Sequence, residues 1–242
     1  MAESPYILVT DEAGLSACLD DVEAQQLVGL DTETTGLDPF TSRIRLVQLA
    51  TRERAYIIDC FAFPALTDRR LLALFEAERP VKVLHNAKFD ARMLGHHAGV
   101  RMRGVFDTYL ASQVVSAGIS EGGNSLKAVT GRYLGTSVDK AEQLSDWSGE
   151  LTSSQLEYAA EDARLMLPLR EKLVERIRAL GLIETAKIEF DCVSSVARME
   201  NAGIYVDRDR WLALCEHVDR EHKRLKEELL KQLAAASLQI SL

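Results

Sequence analysis

Residues 27–39 read Leu-Val-Gly-Leu-Asp-Thr-Glu-Thr-Thr-Gly-Leu-Asp-Pro. The apolar run Leu27 to Leu30 has the character of a buried strand, and it ends in two acids one residue apart. Strand side chains alternate between faces, so Asp31 and Glu33 point the same way. Two carboxylates on one face of a buried strand are costly unless positive charge meets them, and metal ions are the usual answer.

The first 110 residues alternate strand-like and helix-like stretches. Tyr6 to Val9 is a short strand candidate, with Asp11 placed to cap a helix behind it. Leu27 to Asp31, Arg43 to Ala50 and Ala55 to Asp59 follow as three strands in quick succession. Thr67 to Glu78 reads as a helix, Val81 to Leu84 as a strand ending at His85 and Asn86, and Lys88 to His97 as a helix stopping near Gly99. This order indicates an α/β domain with a mixed sheet. From Asp107 the pattern is almost wholly helical, with Ser125–Tyr133, Ser153–Leu180 and Glu184–Asn201 as candidates. Gly131 to Ser148 reads as a long irregular connection, of the kind that often carries function. After Gly203 a short extended piece leads through Asp207 into a long helix, where Trp211, Leu214, Val218, Leu225 and Leu229 recur at helical spacing.

Composition narrows the function classes. The 242 residues carry a net charge of −8, with 47% hydrophobic and 27% charged residues. That balance fits a packed globular core and argues against a sequence-independent basic nucleic-acid binder. It leaves room for a nuclease, whose ions supply positive charge where phosphate sits. Cys18, Cys60, Cys192 and Cys215 lie far apart with no CxxC pair, which fits a reducing compartment and gives no zinc-site spacing. The N-terminus does not read as a signal peptide, and no apolar run reaches the length of a membrane span. The expectation is a soluble, cytoplasmic protein with no membrane partner.

Three further residues join the acidic pair. Asp90 lies in His85-Asn86-Ala87-Lys88-Phe89-Asp90, directly after a strand and in the first turn of a helix. Tyr158 and Asp162 are four apart on a helix and so share a face, while Glu161 points elsewhere. Ala159, Ala160 and Ala163 flank Asp162 with small side chains that let this helix approach the sheet. Each fragment alone is unspecific; their joint occurrence, in this order and in matching structural contexts, is not.

On these motifs the sequence resembles the DEDD superfamily of 3′–5′ exonucleases in its tyrosine-containing form, over residues 5 to 180. The resemblance implies a ribonuclease H-like mixed β-sheet flanked by helices, here followed by a helical C-terminal extension. Two branches compete. Gln143-Leu144-Ser145-Asp146-Trp147 and the run into Tyr158 look like ribonuclease D. Residues 188–211, with Ala197-Arg198-Met199-Glu200-Asn201-Ala202-Gly203-Ile204-Tyr205-Val206-Asp207, are similar to the start of the polymerase region in family A DNA polymerases, where it follows the proofreading exonuclease. The division expected is therefore an exonuclease domain at 1–182 and an extension at 183–242.

The resemblance further implies two divalent cations, Mg²⁺ or Mn²⁺, held by Asp31, Glu33, Asp90 and Asp162, with Tyr158 orienting the attacking water. Asp31 would bridge both ions. Thr32, Thr34, Leu37, Asn86 and Phe89 match positions that contact the terminal nucleotide, Leu37 as a wedge and Phe89 by stacking. For Leu37 and Phe89 core packing is the equal alternative. Lys140, Gln143 and Trp147 are weaker candidates to flank the strand, and Gln48 and Asp107 read as structural. Arg92, Arg101, Arg103, Lys127 and Arg132 cluster in sequence and could form a phosphate track, although a solvated helix face is the better account of most of them. The activity implied is removal of nucleotides from the 3′ end of single-stranded DNA in replication or repair. RNA trimming is the alternative, and a catalytically silent binding module the third reading. A polymerase region in the same or a longer chain is the implied partner.

Overall fold

The computed structural model describes residues 6–118, 122–136, 142 and 145–235. Its sheet contains β1 (Ile7–Val9), β2 (Leu27–Thr34), β3 (Ile44–Ala50), β4 (Ala55–Asp59), β5 (Val81–Leu84) and β6 (Val105–Asp107). The strand order is β1-β4-β3-β2-β5-β6. β2–β3 and β3–β4 pair antiparallel, whereas β1–β4, β2–β5 and β5–β6 pair parallel. The sheet is mixed, as the order of strands and helices in the sequence requires.

Alternation along the central strands sorts the two faces. Val28 and Leu30 of β2, Val47 and Leu49 of β3 and Ile58 of β4 join one core with α1 (Glu12–Glu23), α2 (Arg69–Glu76) and α3 (Ala87–Ala98). Leu46 and Ala50 of β3 and Ile57 of β4 face the other way, onto α6 (Ser153–Ala179) through Ala159, Ala160 and Ala163. A second cluster on α6, including Met166, Leu169 and Leu173, packs with α4 (Thr108–Val115), α5 (Leu126–Leu134), Val83 and Phe106. Side-chain caps begin the helices as the sequence suggests. Asp11 accepts from Gly14 N–H at 2.7 Å, Asp68 caps α2, and Thr152 with Gln155 forms a reciprocal capping box at α6.

Three elements differ from expectation. β2 runs three residues further than Asp31, because Thr32 to Thr34 continue to pair with β3. β6 and α4 were not separated from the preceding loop in the sequence: a three-residue strand gives too short a run for periodicity to register.

The chain divides into compact units at 1–201 and 202–242, nineteen residues later than the expected boundary at 182/183. The reason is α7 (Ile183–Ala202), which buries Ala186, Val193 and Ala197 in the cores of the first unit. Asn201 Nδ2 also donates to the Arg92 carbonyl at 2.9 Å, and Lys88 pairs with Glu200 at 2.6 Å. The second unit contains α8 (Arg208–Ala235), begun by Asp207 accepting from Arg210 N–H at 3.1 Å. No helix among the described residues is long and apolar enough to cross a membrane.

Candidate active site

The site begins with the alternation of β2. Asp31 and Glu33 share the face that meets α6, and Thr32 between them faces α3. A register shift between Glu33 and Thr34 ends the regular ladder and turns the chain. Thr32 then reaches into the opposite layer: its hydroxyl donates to Asp90 Oδ1 at 2.7 Å. Asp90 is buried in the first turn of α3, where the helix dipole favours a carboxylate.

Asp107 sets the position of that turn. Its carboxylate accepts from the backbone N–H groups of Asn86 at 3.0 Å and Ala87 at 2.9 Å, and from Tyr109 and Leu110 at 2.8 and 3.3 Å. One buried acid therefore ties the starts of α3 and α4 to the end of β6. Asn86 is held in the left-handed region, φ 65°, which an asparagine tolerates.

Helix α6 supplies the remaining groups. Gly29 lies two residues before Asp31 on the same face, and a Cβ there would stand 2.1 Å from the carbonyl oxygen of Ala163. Only a residue without a side chain lets α6 come this close, and the approach brings the neighbouring Asp162 to the β2 carboxylates. Tyr158 lies one turn earlier, close enough for Asp162 to act on its hydroxyl. Glu161 is exposed, as its place on the helix requires.

Asp31, Glu33, Tyr158 and Asp162 line a single cleft of about 530 Å³. Burial first, then the Asp90, Glu33 and Asp162 charges, pushes the Asp31 carboxyl well above the usual carboxylate range. Burial and the Asp162 and Asp90 charges raise Glu33 to about 9. Burial raises Asp90 to about 7 against the opposing hydrogen bond from Thr32. Tyr158 is also raised, by burial and by Asp162, so its hydroxyl keeps its proton. The fold thus gathers carboxylates that resist ionising together, the electrostatic state that a bound cation relieves. Hard oxygen donors of this kind suit Mg²⁺ or Mn²⁺. Among the described residues no three His, Cys, Asp or Glu side chains are already drawn into an ion cage. The fit therefore rests on donor chemistry and shared charge.

The other expected residues fall around the same cleft. Thr34, Leu37, Asn86 and Phe89 line it, as does Trp147. Leu37 is 81% exposed, which removes core packing as its role. Phe89 does both, lining the cleft and packing against the main core. The Thr32 hydroxyl is committed to Asp90 and that of Thr34 to the Gly36 carbonyl, 2.7 Å away. Trp147 is buried beside Tyr158, with ring centroids 6.5 Å apart, and Gln155 holds the segment by donating to Ser145 Oγ and the Asp146 carbonyl. Lys140 and Gln143 lie outside the described residues. His85 and Tyr109 also line the cleft, a role that sequence reasoning missed. Their signal is tertiary: His85 Nδ1 meets Thr108 Oγ1 at 2.9 Å, and its ring packs edge-on against Tyr109.

With this geometry in view, the relationships of the chain are decisive. Residues 6–178 match the 3′–5′ exonuclease family of the DNA polymerase A type. The chain belongs to that family. It is a 3′–5′ exonuclease of the DEDD type, a hydrolase acting on nucleic acid, and enzymes of this type use divalent metal ions. The exonuclease is 34% identical to DNA polymerase I of Aquifex aeolicus over 243 residues, covering 92% of this chain and 40% of that protein. It is 28% identical to ribonuclease D of Gluconacetobacter diazotrophicus over 192 residues, covering 79% of this chain and 48% of the relative. The chain therefore spans about half or less of these relatives' length. Among solved structures, Brucella melitensis NrnC bound to pGG superposes with a TM-score of 0.69 at 28% identity, covering 76% of this chain and 88% of that one.

Proposed function

We propose that the exonuclease removes nucleoside 5′-monophosphates from the 3′ end of single-stranded DNA, with Asp31, Glu33, Asp90, Asp162 and Tyr158 as its catalytic set. The observation that carries this reading is the convergence of Asp31, Glu33, Tyr158 and Asp162 on one cleft, with Asp90 joined to it through Thr32. Asp31, Glu33 and Asp162 would hold two divalent ions, with Asp90 supporting from the second layer. Bound there, such ions supply charge stabilisation for the attacking and leaving oxygens of the phosphodiester.

The chain's own residues do the rest. Tyr158 keeps its proton, and its hydroxyl fixes Asp162 and orients a water. It acts by position and not as a base. Leu37, exposed at the cleft rim, offers an apolar wedge to the terminal base, and Phe89 and Asn86 offer a stacking face and a polar contact.

DNA is favoured by how far the relatives extend. The matches to DNA polymerase I of Aquifex aeolicus and Rhizobium leguminosarum cover 92% and 93% of the chain, more residues than the first compact unit holds. The ribonuclease D matches cover 62–79% and are short enough to fit within it. The polymerase matches therefore extend past residue 201, which supports a polymerase region as the partner of this chain, while the ribonuclease D structure of Escherichia coli also covers 88% of the chain. The Ser145-Asp146-Trp147 segment, locked against α6, favours the second reading, RNA trimming.

Timed degradation of matched 5′-labelled DNA and RNA strands in Mg²⁺, Mn²⁺ or EDTA separates them. A metal-dependent ladder shortening from the 3′ end of DNA is expected. Degradation confined to RNA promotes the second reading, and the absence of metal-dependent products overturns both.

A further inference from the structure

We propose that Lys127 is a positioning residue that grips an interior phosphate of the substrate strand, away from the scissile bond, and so makes the exonuclease prefer strands over single-nucleotide esters. This rests on the exonuclease reading above and deepens it.

The cleft poses an electrostatic problem that its carboxylates cannot solve. Bound cations neutralise the phosphate at the scissile bond, but the next phosphates approach a protein of net charge −8. At physiological salt, charges screen one another beyond about 8 Å, so each such phosphate needs a local cation. Lys127 is the sole Lys or Arg among the described residues that line the cleft.

Of the other basic residues of this region, Arg101 and Arg103 line a separate cavity, and Arg92, Arg103 and Arg132 are engaged elsewhere. Arg92 pairs with Glu200 at 3.3 Å and Arg103 with Glu78 at 2.7 Å. Arg132 donates to Ser112 Oγ at 3.1 Å and the Gly123 carbonyl at 2.8 Å. Lys127 has no ion pair among the described residues, and its side chain is exposed. Of the basic residues that could have formed a phosphate track, Lys127 is the one that lines the cleft.

Its mounting is rigid. Lys127 occupies the first turn of α5, whose start is capped by Ser125 accepting from Ala128 N–H. Val129 and Thr130, immediately after it, are buried, and Val129 packs in the core shared with α6. Ser125 and Leu126 line the same wall, so the positive end of the helix reinforces the lysine. The acids and Tyr158 form one part of the cleft lining and this cationic turn another. A polyanion crossing the cleft meets both.

The test uses single-stranded DNA in which one interior linkage at a time, the first to third on the 5′ side of the scissile bond, is a neutral methylphosphonate. KM and kcat are measured in Mg²⁺ for the wild type, Lys127→Ala and Lys127→Arg. For the wild type, one position should raise KM about five- to tenfold, the loss of one charge-assisted contact. Lys127→Ala should show that rise on the unmodified strand and no further rise at that position, and Lys127→Arg should restore the wild-type pattern. The slope of log kcat/KM against log salt should fall by about 0.7 in Lys127→Ala, the share of one single-strand phosphate. A Lys127→Ala enzyme as sensitive as the wild type to every methylphosphonate overturns this inference and leaves the exonuclease assignment standing. A wild type that yields no product from the 3′ end overturns the assignment beneath it.

Discussion

Gly29→Ala tests the contact on which the whole site depends. The added Cβ would lie 2.1 Å from the Ala163 carbonyl oxygen, 3.1 Å from its carbonyl carbon and 3.4 Å from Ala50 Cβ. Carbon–oxygen contacts settle near about 3.3 Å, so α6 and β2 must part by about 1.2 Å. The obstacle is helix backbone, which has no rotamer to change. Overpacking of this kind costs about 1–3 kcal/mol, and a chain of this size loses about 2–4 °C in Tm for each kcal/mol. Catalysis should suffer more than stability. Asp162 adjoins Ala163, and a misplacement of about 1 Å at a reacting centre costs on the order of 100-fold in rate. The assay is release of nucleoside monophosphate from a labelled strand under single-turnover conditions, with thermal melts alongside. Gly131→Ala is the control, since its Cβ meets nothing closer than 3.8 Å within a helix. There the same change should stabilise by about 0.5–1 kcal/mol and leave the rate alone. A Gly29→Ala enzyme with wild-type rate and a Tm within about one degree of wild type would falsify the close-approach argument.

Asp31→Asn or Asp162→Asn should cut cleavage by more than about 100-fold, as loss of a metal ligand does, while raising the metal-free Tm because repulsion within the cluster is relieved. Retained cleavage with a lowered Tm contradicts that assignment. Tyr158→Phe removes the hydroxyl that faces Asp162 and should lower kcat about ten- to 100-fold. Mg²⁺ affinity by calorimetry should stay at the wild-type value, and a loss of Mg²⁺ binding would make the tyrosine a ligand-shaping group instead. Glu33 at about 9 and Asp90 at about 7 both lie above their ordinary values. The folded protein therefore holds more protons than the unfolded chain between pH 4 and 9, and metal-free stability should fall as pH rises through that window. Mg²⁺ should restore Tm more at pH 8.5 than at pH 6, and melts showing an equal Mg²⁺ effect at both would count against metal binding by these carboxylates. Gln48 is fully buried with both amide atoms lacking a partner among the described residues, so Gln48→Met should stabilise by about 1 kcal/mol. A clear loss of stability on denaturant titration would mean that the amide is satisfied by water.

Much of the site was legible because its signals are short in sequence. Asp31 and Glu33 share a face through strand alternation, and Tyr158 and Asp162 through helical spacing. Asp90 declares itself by a strand-to-helix turn. What placed them together was not legible. Nothing around Gly29 says that its missing side chain admits the backbone of Ala163, since that contact joins residues 134 apart in the chain. Asp107 read as structural, but its four backbone partners and its hold on Asn86 and Ala87 appear only in three dimensions. The basic residues around the second motif looked equivalent in sequence. Partners far along the chain, such as Glu200 for Arg92, separate them from Lys127. The packing of α7 onto the first compact unit was illegible for a related reason: the burial of Ala186, Val193 and Ala197 depends on surfaces that α7 does not itself encode.

The seating of α6 over β2 also has a consequence for the life of the chain before it is finished. Domains fold from the N-terminus as synthesis proceeds, at about 5–20 residues per second. Asp31, Glu33 and Asp90 all leave the ribosome well before Tyr158 and Asp162. A nascent chain ending before α6 can build several strands and helices and still lack one wall of its cleft. Competence to cut nucleic acid is thus withheld until α6 has been made. A nascent chain that has not yet made α6 is inert toward nucleic acid.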